Sequence, residues 1–360
     1  MTPLPLHELH RAAGATFIDI NGQEAAAHYG DWLAEYRTLR EGAAILDLSF
    51  RGRLCLTGAD AQKFLNGQVT NNVKDLKPGE GCYAALVSAK GKMESDLNIY
   101  RLENEMLLDF EPGLSERVAR RLGKFIIADD AQVIDVAPDY GLLSVQGLEA
   151  AAVLALWAPG LDAPREAMAA AKAPIAAPGE IYVTHQARAG RPGFDIFVPA
   201  AALRETSAQL LAAGARWCGW QALETARIEA GAPRFGADMD ETNLAPEALD
   251  ARAISYSKGC YIGQEVIARI RTYGQVAKSL RGLRLDGDMS ELPAKGAKIF
   301  SGDKEAGYIT STVRSPALQA VIALGYIRRE AGQPGAPLLV QTPAGAIPAR
   351  IVEPPFVPAP

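Results

Sequence analysis

Apolar and polar positions follow two different periods along this chain, and the period changes from segment to segment. Residues 53–57, "RLCLT", alternate like a strand. Gly58 breaks the run, and "ADAQKFLNG" (59–67) reads as a short helix stopped by Gly67. Strands are expected over 83–87 and 95–101, joined across "AKGK", and over 106–110 after the polar turn "ENE". In "GLSERVARRLGKFII" (113–127), Leu114, Val118, Leu122 and Phe125 fall on one helical stripe. Arg117, Arg120, Arg121 and Lys124 fall on another. Strands over 132–136 and 142–145 complete a largely antiparallel pattern of α+β character.

Between 158 and 179 the composition shifts to Ala and Pro, which reads as a connection holding one short helix. Residues 181–199 form a hairpin pattern around "RAGRPG". Residues 201–214 read as a helix capped by Gly214, and 219–231 as another closed by glycine. From about Lys278 the pattern becomes six short strands separated by Gly, Pro and Asp turns: 279–285, 297–302, 306–313, 320–327, 337–341 and 347–352. That punctuation predicts a small β-barrel or sandwich.

The 360 residues suffice for two or three domains. A net charge of −5 gives no pointer to nucleic acid or an anionic membrane. No apolar run is long enough to span a bilayer, and the N-terminus has neither signal-peptide nor transit-peptide character, so the expected compartment is the cytoplasm. Cys55, Cys82, Cys218 and Cys260 form no CxxC pair, and the four histidines do not cluster with them; neither a protein-built metal site nor a disulfide framework is expected. The basic stripe on 113–127 reads either as the solvated face of an amphipathic helix or as a polyanion site.

One stretch stands apart: Lys258-Gly259-Cys260-Tyr261-Ile262-Gly263-Gln264-Glu265, "KGCYIGQE". The following "QEVIARIRTYG" reads as a helix with Glu265 in its first turn and Gly274 as its stop. Cys260 then lies just before a helix N-terminus and two residues from an ammonium, a setting that favours thiolate. Gly259 and Gly263 suit close backbone approach or positive φ. The local chemistry leaves two readings open, a reactive thiol or a small buried hydrophobe. Cys55, Cys82 and Cys218 have no activating neighbour and are expected to pack in cores.

At these residues the sequence resembles the YgfZ family of folate-binding proteins tied to iron–sulfur cluster assembly and maintenance. That family lies within the glycine-cleavage T-protein (aminomethyltransferase) superfamily. "ARIEAGAPRFGADMDETNLAPEAL" (226–249), "LTGADAQKFLNGQVTNNV" (56–73), "LLSVQG" (142–147) and "GYITSTVRSPALQAVIALGYI" (307–327) are similar to superfamily segments. The resemblance implies three domains around a folate cavity. Two interleaved, ferredoxin-related α/β domains would take 1–49 with 138–220 and 50–137 with 221–277, followed by a β-barrel over 278–360. It implies Cys260 and Lys258 as the catalytic pair, supported by Gly259, Tyr261, Gly263, Gln264 and Glu265. Asn72, Tyr83, Arg227 and Glu229 would contact folate, Arg227 and Glu229 reading alternatively as a structural pair and Tyr83 as core. The implied cofactor is tetrahydrofolate, with or without a polyglutamyl tail. The implied partners are folate and iron–sulfur proteins or their assembly machinery.

Three positions depart from the aminomethyltransferase pattern. Asn72 stands in an Asn-Asn-Val run where that enzyme has Asn-Asp-Val. Ala187–Arg191 replaces a Gly-Tyr-Thr-Gly-Glu run, and Ala222–Glu224 replaces Ala-Arg-Asp. A neutral amide cannot act as a base. These departures favour an accessory role in iron–sulfur metabolism over one-carbon transfer, with aminomethyl transfer from a lipoyl carrier to tetrahydrofolate as the alternative. A scaffold that keeps the fold but binds no ligand is the third reading.

Overall fold

The structure is a computed structural model, and it describes residues 1–287 and 289–358. The chain forms two compact units. The first comprises Met1–Leu86, Glu94–Leu223 and Ala251–Ile262; the second comprises Val87–Met93, Glu224–Asp250 and the chain from Gly263 onward.

The first unit contains two sheets. In the five-stranded sheet the order is Gly81–Val87, Met93–Arg101, Met106–Phe110, Gly52–Thr57, Gln132–Asp135. Alternate residues Leu54, Leu56, Ala84, Leu86, Leu97, Ile99, Leu108 and Phe110 face one core with Phe64 and Leu65 of helix Ala61–Gln68 and Val118 and Leu122 of helix Ser115–Gly123. In the six-stranded sheet the order is Ala170–Lys172, Tyr182–His185, Gly193–Pro199, Tyr140–Gln146, Ala44–Asp47, Arg216–Trp217, with only the last pair parallel. Its apolar face (Ile45, Leu143, Val145, Ile196, Val198) buries helices Ala150–Trp157 and Leu203–Ala212.

The polar faces of the two sheets meet each other. Gln186 donates to Asn98 across the seam at 3.1 Å. Tyr100 meets Phe197 edge-on, with ring centroids 5.9 Å apart. The first unit is therefore helices, sheet, sheet, helices, with charged and amide side chains in the middle. The chain enters the six-stranded sheet at Ala44–Asp47, leaves for the five-stranded sheet, and returns at Tyr140.

The second unit carries a closed barrel in the order Lys278–Leu285, Ala320–Arg328, Lys304–Ser315, Lys298–Ser301, Pro337–Thr342, Gly345–Val352. Leu283, Ile299, Ile309, Ala323 and Val340 fill it. The six strands expected after Lys278 are thus present, closed rather than sandwiched.

Two local expectations are corrected. Helix Ala61–Gln68 runs through Gly67, and its cap Val69 is extended. Residues 158–179 hold no helix; Pro164, Pro174 and Pro178 interrupt the segment, and Ala170–Lys172 adds an edge strand instead. Among the described residues no helix is long and apolar enough to cross a membrane.

Candidate functional site

The polar seam of the first unit concentrates its ionisable groups. Arg51 holds Asp109 with Nε at 2.7 Å and Nη2 at 3.1 Å, and reaches Glu111 with Nη1 at 2.5 Å. Arg188 donates to Asp195 from Nε at 2.9 Å and from Nη2 at 2.5 Å, and to Asp109 from Nη2 at 2.8 Å. Asn98 adds a further donor to Asp109 at 2.8 Å, and Ser144 donates to Asp195 at 2.7 Å. Burial alone would raise the Asp109 carboxyl, but the two guanidiniums outweigh it and hold it well below the usual carboxylate range. At Asp195 burial wins over Arg188, and the carboxyl is raised.

At the edge of this network lies a carboxyl without a cation. Asp96, on strand Met93–Arg101, accepts the Tyr83 hydroxyl on Oδ2 at 2.8 Å. Its Oδ1 is buried and has no partner. Burial, then the negative charge of Glu111, pushes Asp96 up to about 6, against the pull of Arg51. Burial and the same Asp96 charge push the Tyr83 phenol well above its ordinary value. A carboxyl that titrates near neutrality with an unused acceptor is equipped to take and return a proton.

The residues singled out by sequence are distributed as follows. Lys258 is buried and donates to the carbonyls of Asn66, Val69 and Asn71 at 2.6, 2.8 and 2.5 Å. Tyr261 is buried, its ring centroid 5.0 Å from the Lys258 ammonium. Gly259 and Cys260 are exposed. Gly263 opens the second unit with φ 84°, and an added Cβ would lie 2.4 Å from the Ser88 carbonyl oxygen. Gln264 and Glu265 begin helix Gln264–Tyr273. Asn72 commits its amide within its own turn, donating to Asp75 at 2.7 Å and accepting from the Lys74 amide at 3.1 Å. Tyr83 is joined to this region by Asn71, whose Nδ2 donates to the Tyr83 carbonyl at 2.8 Å.

Arg227 and Glu229 belong to the second unit. Arg227 pairs with Asp238 and Glu224 and donates to Ser311 at 2.8 Å. Glu229 is buried and accepts from Ser315, while its carbonyl takes the Phe356 amide at 2.8 Å. Both anchor barrel strands within that unit. Cys55 and Cys218 are buried and Cys82 is partly buried against its sheet's core. Asp96 and the Arg51–Asp109–Arg188–Asp195 chain were not anticipated. The one available signal was a carboxylate inside each of three strands, Asp96, Asp109 and Asp195. Among the described residues no group of three or more His, Cys, Asp or Glu could hold a metal.

Comparison with known proteins decides the family. Residues 6–258 match the GCVT N-terminal domain, and residues 278–358 match the glycine cleavage T-protein C-terminal barrel domain. The chain belongs to the glycine-cleavage T-protein family. It is similar to the aminomethyltransferase of Ralstonia nicotianae, 31% identical over 98% of this chain and 96% of that one. It is similar to the aminomethyltransferase of Saccharopolyspora erythraea, 29% identical over 98% and 97%. The solved structure of the glycine cleavage system aminomethyltransferase T from Bartonella henselae superposes with a TM-score of 0.90, at 25% identity, over 99% of this chain and 98% of that one. The mixed α/β domains and small closed barrel are thus the T-protein three-domain fold.

These findings correct the narrower assignment. T-protein domains and aminomethyltransferases match nearly the whole chain, so membership of YgfZ, the iron–sulfur role and the iron–sulfur partners all fall. The eight-residue run that suggested them has structural duties here: Lys258 caps three carbonyls and Gly263 needs its left-handed φ. Asn72, which stands in place of aspartate, keeps its amide within its own turn.

Proposed function

We propose that this chain is a folate-dependent aminomethyltransferase of the glycine-cleavage type, moving a one-carbon unit from an aminomethyl-lipoyl carrier protein to tetrahydrofolate. The observation that supports it is the Tyr83–Asp96 pair with its unpartnered Oδ1 and a carboxyl at about 6. In the reaction the carrier's S–CH2 and CH2–N bonds break, and two C–N bonds to folate form. The two folate N–H protons pass to the leaving sulfur and to the leaving amine. Tetrahydrofolate supplies the nucleophilic nitrogens. Asp96 as carboxylate accepts a proton from one of them and returns it to a leaving group. The Tyr83 hydroxyl orients Asp96 through Oδ2, which leaves Oδ1 for the folate N–H. Tyr83 and Asn72, both in the first unit, are our candidates for folate contact. The test is purified protein with tetrahydrofolate and an aminomethyl-loaded lipoyl carrier. Methylene-tetrahydrofolate and ammonia in equal amounts sustain the reading; binding of folate without turnover rejects it.

A polyglutamyl tail on the folate would bring several carboxylates. Arg117, Arg120, Arg121 and Lys124 line an open surface depression on helix Ser115–Gly123 and the residue after it. Arg121 is fixed there by Glu94 at 2.7 Å and lies over the Phe125 ring at 4.3 Å. Replacing Arg117, Arg120 and Lys124 together by Ala is expected to weaken pentaglutamate binding roughly tenfold, at up to about 1 kcal/mol per exposed pair. Monoglutamate affinity should not change, and calorimetric titration of both forms checks it.

A further inference from the structure

We propose that Lys258 is a positioning residue for the Tyr83–Asp96 pair, acting by locking the 66–72 turn and the 252–262 strap onto the edge of the five-stranded sheet. The proposal rests on the transferase reading above for its kinetic consequence and on hydrogen bonding alone for its structural one. Helix Ala61–Gln68 ends without a left-handed glycine, so its last carbonyls need other donors. The Lys258 ammonium supplies one, to Asn66, and the Ile262 amide another, to Gly67; the ammonium's other two bonds hold the cap Val69 and Asn71 beyond it. Its three N–H groups meet three carbonyls, those of Asn66, Val69 and Asn71, which uses its full donor capacity.

The turn held in this way is built into the edge strand Gly81–Val87. Val69 bridges Leu86, the Thr70 amide donates to the Ala85 carbonyl at 3.0 Å, and the Ala85 amide donates to Thr70 Oγ1 at 2.8 Å. Asn71 Nδ2 donates both to the Tyr83 carbonyl and to the Arg252 carbonyl, each at 2.8 Å. The strap is tied back by Thr70 Oγ1 to the Ala253 carbonyl at 2.7 Å, by the Ser255 amide to the Thr70 carbonyl at 3.0 Å, and by the Ile262 amide to the Gly67 carbonyl at 3.2 Å. From Lys258 Nζ the path to Asp96 is short: the Asn71 carbonyl, the Asn71 side chain, the Tyr83 main chain, the Tyr83 hydroxyl. This gives the conspicuous run at 258–262 a purpose that requires no reactive thiol.

The lock is sensitive to alkali. Burial pulls Lys258 down to about 8. The titratable groups facing it are Cys82 and Tyr261, and burial pushes each up to about 12, so neither ionises over the same range. Above pH 8 the neutral amine has two donors for three carbonyls, and the turn loosens.

The experiment compares wild type, Lys258→Met and Lys258→Arg, by hydrogen exchange over 66–72 and 81–86 and by steady-state transfer. In Lys258→Met we expect exchange in both segments to rise at least about tenfold, with kcat down about tenfold or more and KM for tetrahydrofolate within about twofold. Lys258→Arg keeps its charge at all working pH, so it should recover most of kcat and lose the fall in rate above pH 8. Unchanged exchange in Lys258→Met overturns the proposal, and so does unchanged kcat or an alkaline fall that persists in Lys258→Arg. Should the wild type transfer nothing, the transferase reading fails by itself. Exchange at 81–86 still decides whether Lys258 holds the Tyr83 strand.

Discussion

Asp96→Asn should abolish most of the transfer rate and, at the same time, raise the melting temperature. The rate loss follows from removing a proton acceptor that no other group replaces. Positioned general acid–base catalysis contributes on the order of 10²–10⁴-fold, and a loss of that size is expected in kcat with folate binding retained. The stability gain follows from linkage. The Asp96 carboxyl is raised to about 6 in the folded protein, against about 3.9 in an unfolded chain. The folded state therefore holds this proton more tightly than the unfolded state. Stability contributed by Asp96 is full below the unfolded value, declines as pH climbs through the interval, and is lowest above the folded value. At pH 7 the ionised group costs about 1–3 kcal/mol, which the neutral amide avoids. An inactive variant that melts lower than wild type at pH 7, or one that melts higher but still turns over normally, contradicts the assignment. Glu111→Gln offers a second reading of the same carboxyl. Glu111 raises Asp96 while Arg51 lowers it, so removing the acid moves the acid limb of the rate profile to lower pH.

Asp96 was hidden in the sequence for a physical reason. In a strand with alternating residues, the polar set is ordinarily assigned to water. Here the two sheets of the first unit pack polar face to polar face, so Asn98, Asp109, Ser144, Gln146 and Asp195 are buried although their spacing looks solvent-facing. The strands themselves were legible because Leu97, Ile99, Leu108 and Phe110 keep strict period two against one core. The barrel was legible for the same reason, with turns marked by Gly and Pro. Strand Gln23–His28 was not, since its "QEAAAH" carries no β-branched or aromatic residue; pairing with Thr16–Ile20 overrides propensity. The motif at 258–265 stands out in the sequence by its unusual composition. An ammonium beside a thiol suggests activation, yet the ammonium points to three carbonyls and the exposed Cys260 takes no part in them.

Arg188→Met is expected to be the most destabilising single change in the seam. Arg188 joins two carboxylates that are wholly buried, Asp109 and Asp195, and is itself only 10% exposed in its side chain. Its removal leaves Asp195 with Ser144 alone and Asp109 with Arg51 and Asn98. Breaking a buried pair from one side costs about 3–5 kcal/mol, because the stranded charge cannot return to water. Chemical denaturation at pH 7 measures it. The double variant Arg188→Met/Asp195→Asn removes the stranded charge as well and should recover part of the loss, so the two changes will not add. The acid side supplies an independent sign. Asp109 is held below the usual range by Arg51 and Arg188, so its contribution is present above the unfolded value and is lost as pH falls through the folded one. Arg188→Met raises that folded value and moves the loss to higher pH. The variant's stability deficit should therefore be largest near neutrality and shrink as both carboxylates take up protons at lower pH. A deficit independent of pH would mean that Arg188 acts by packing and not by charge.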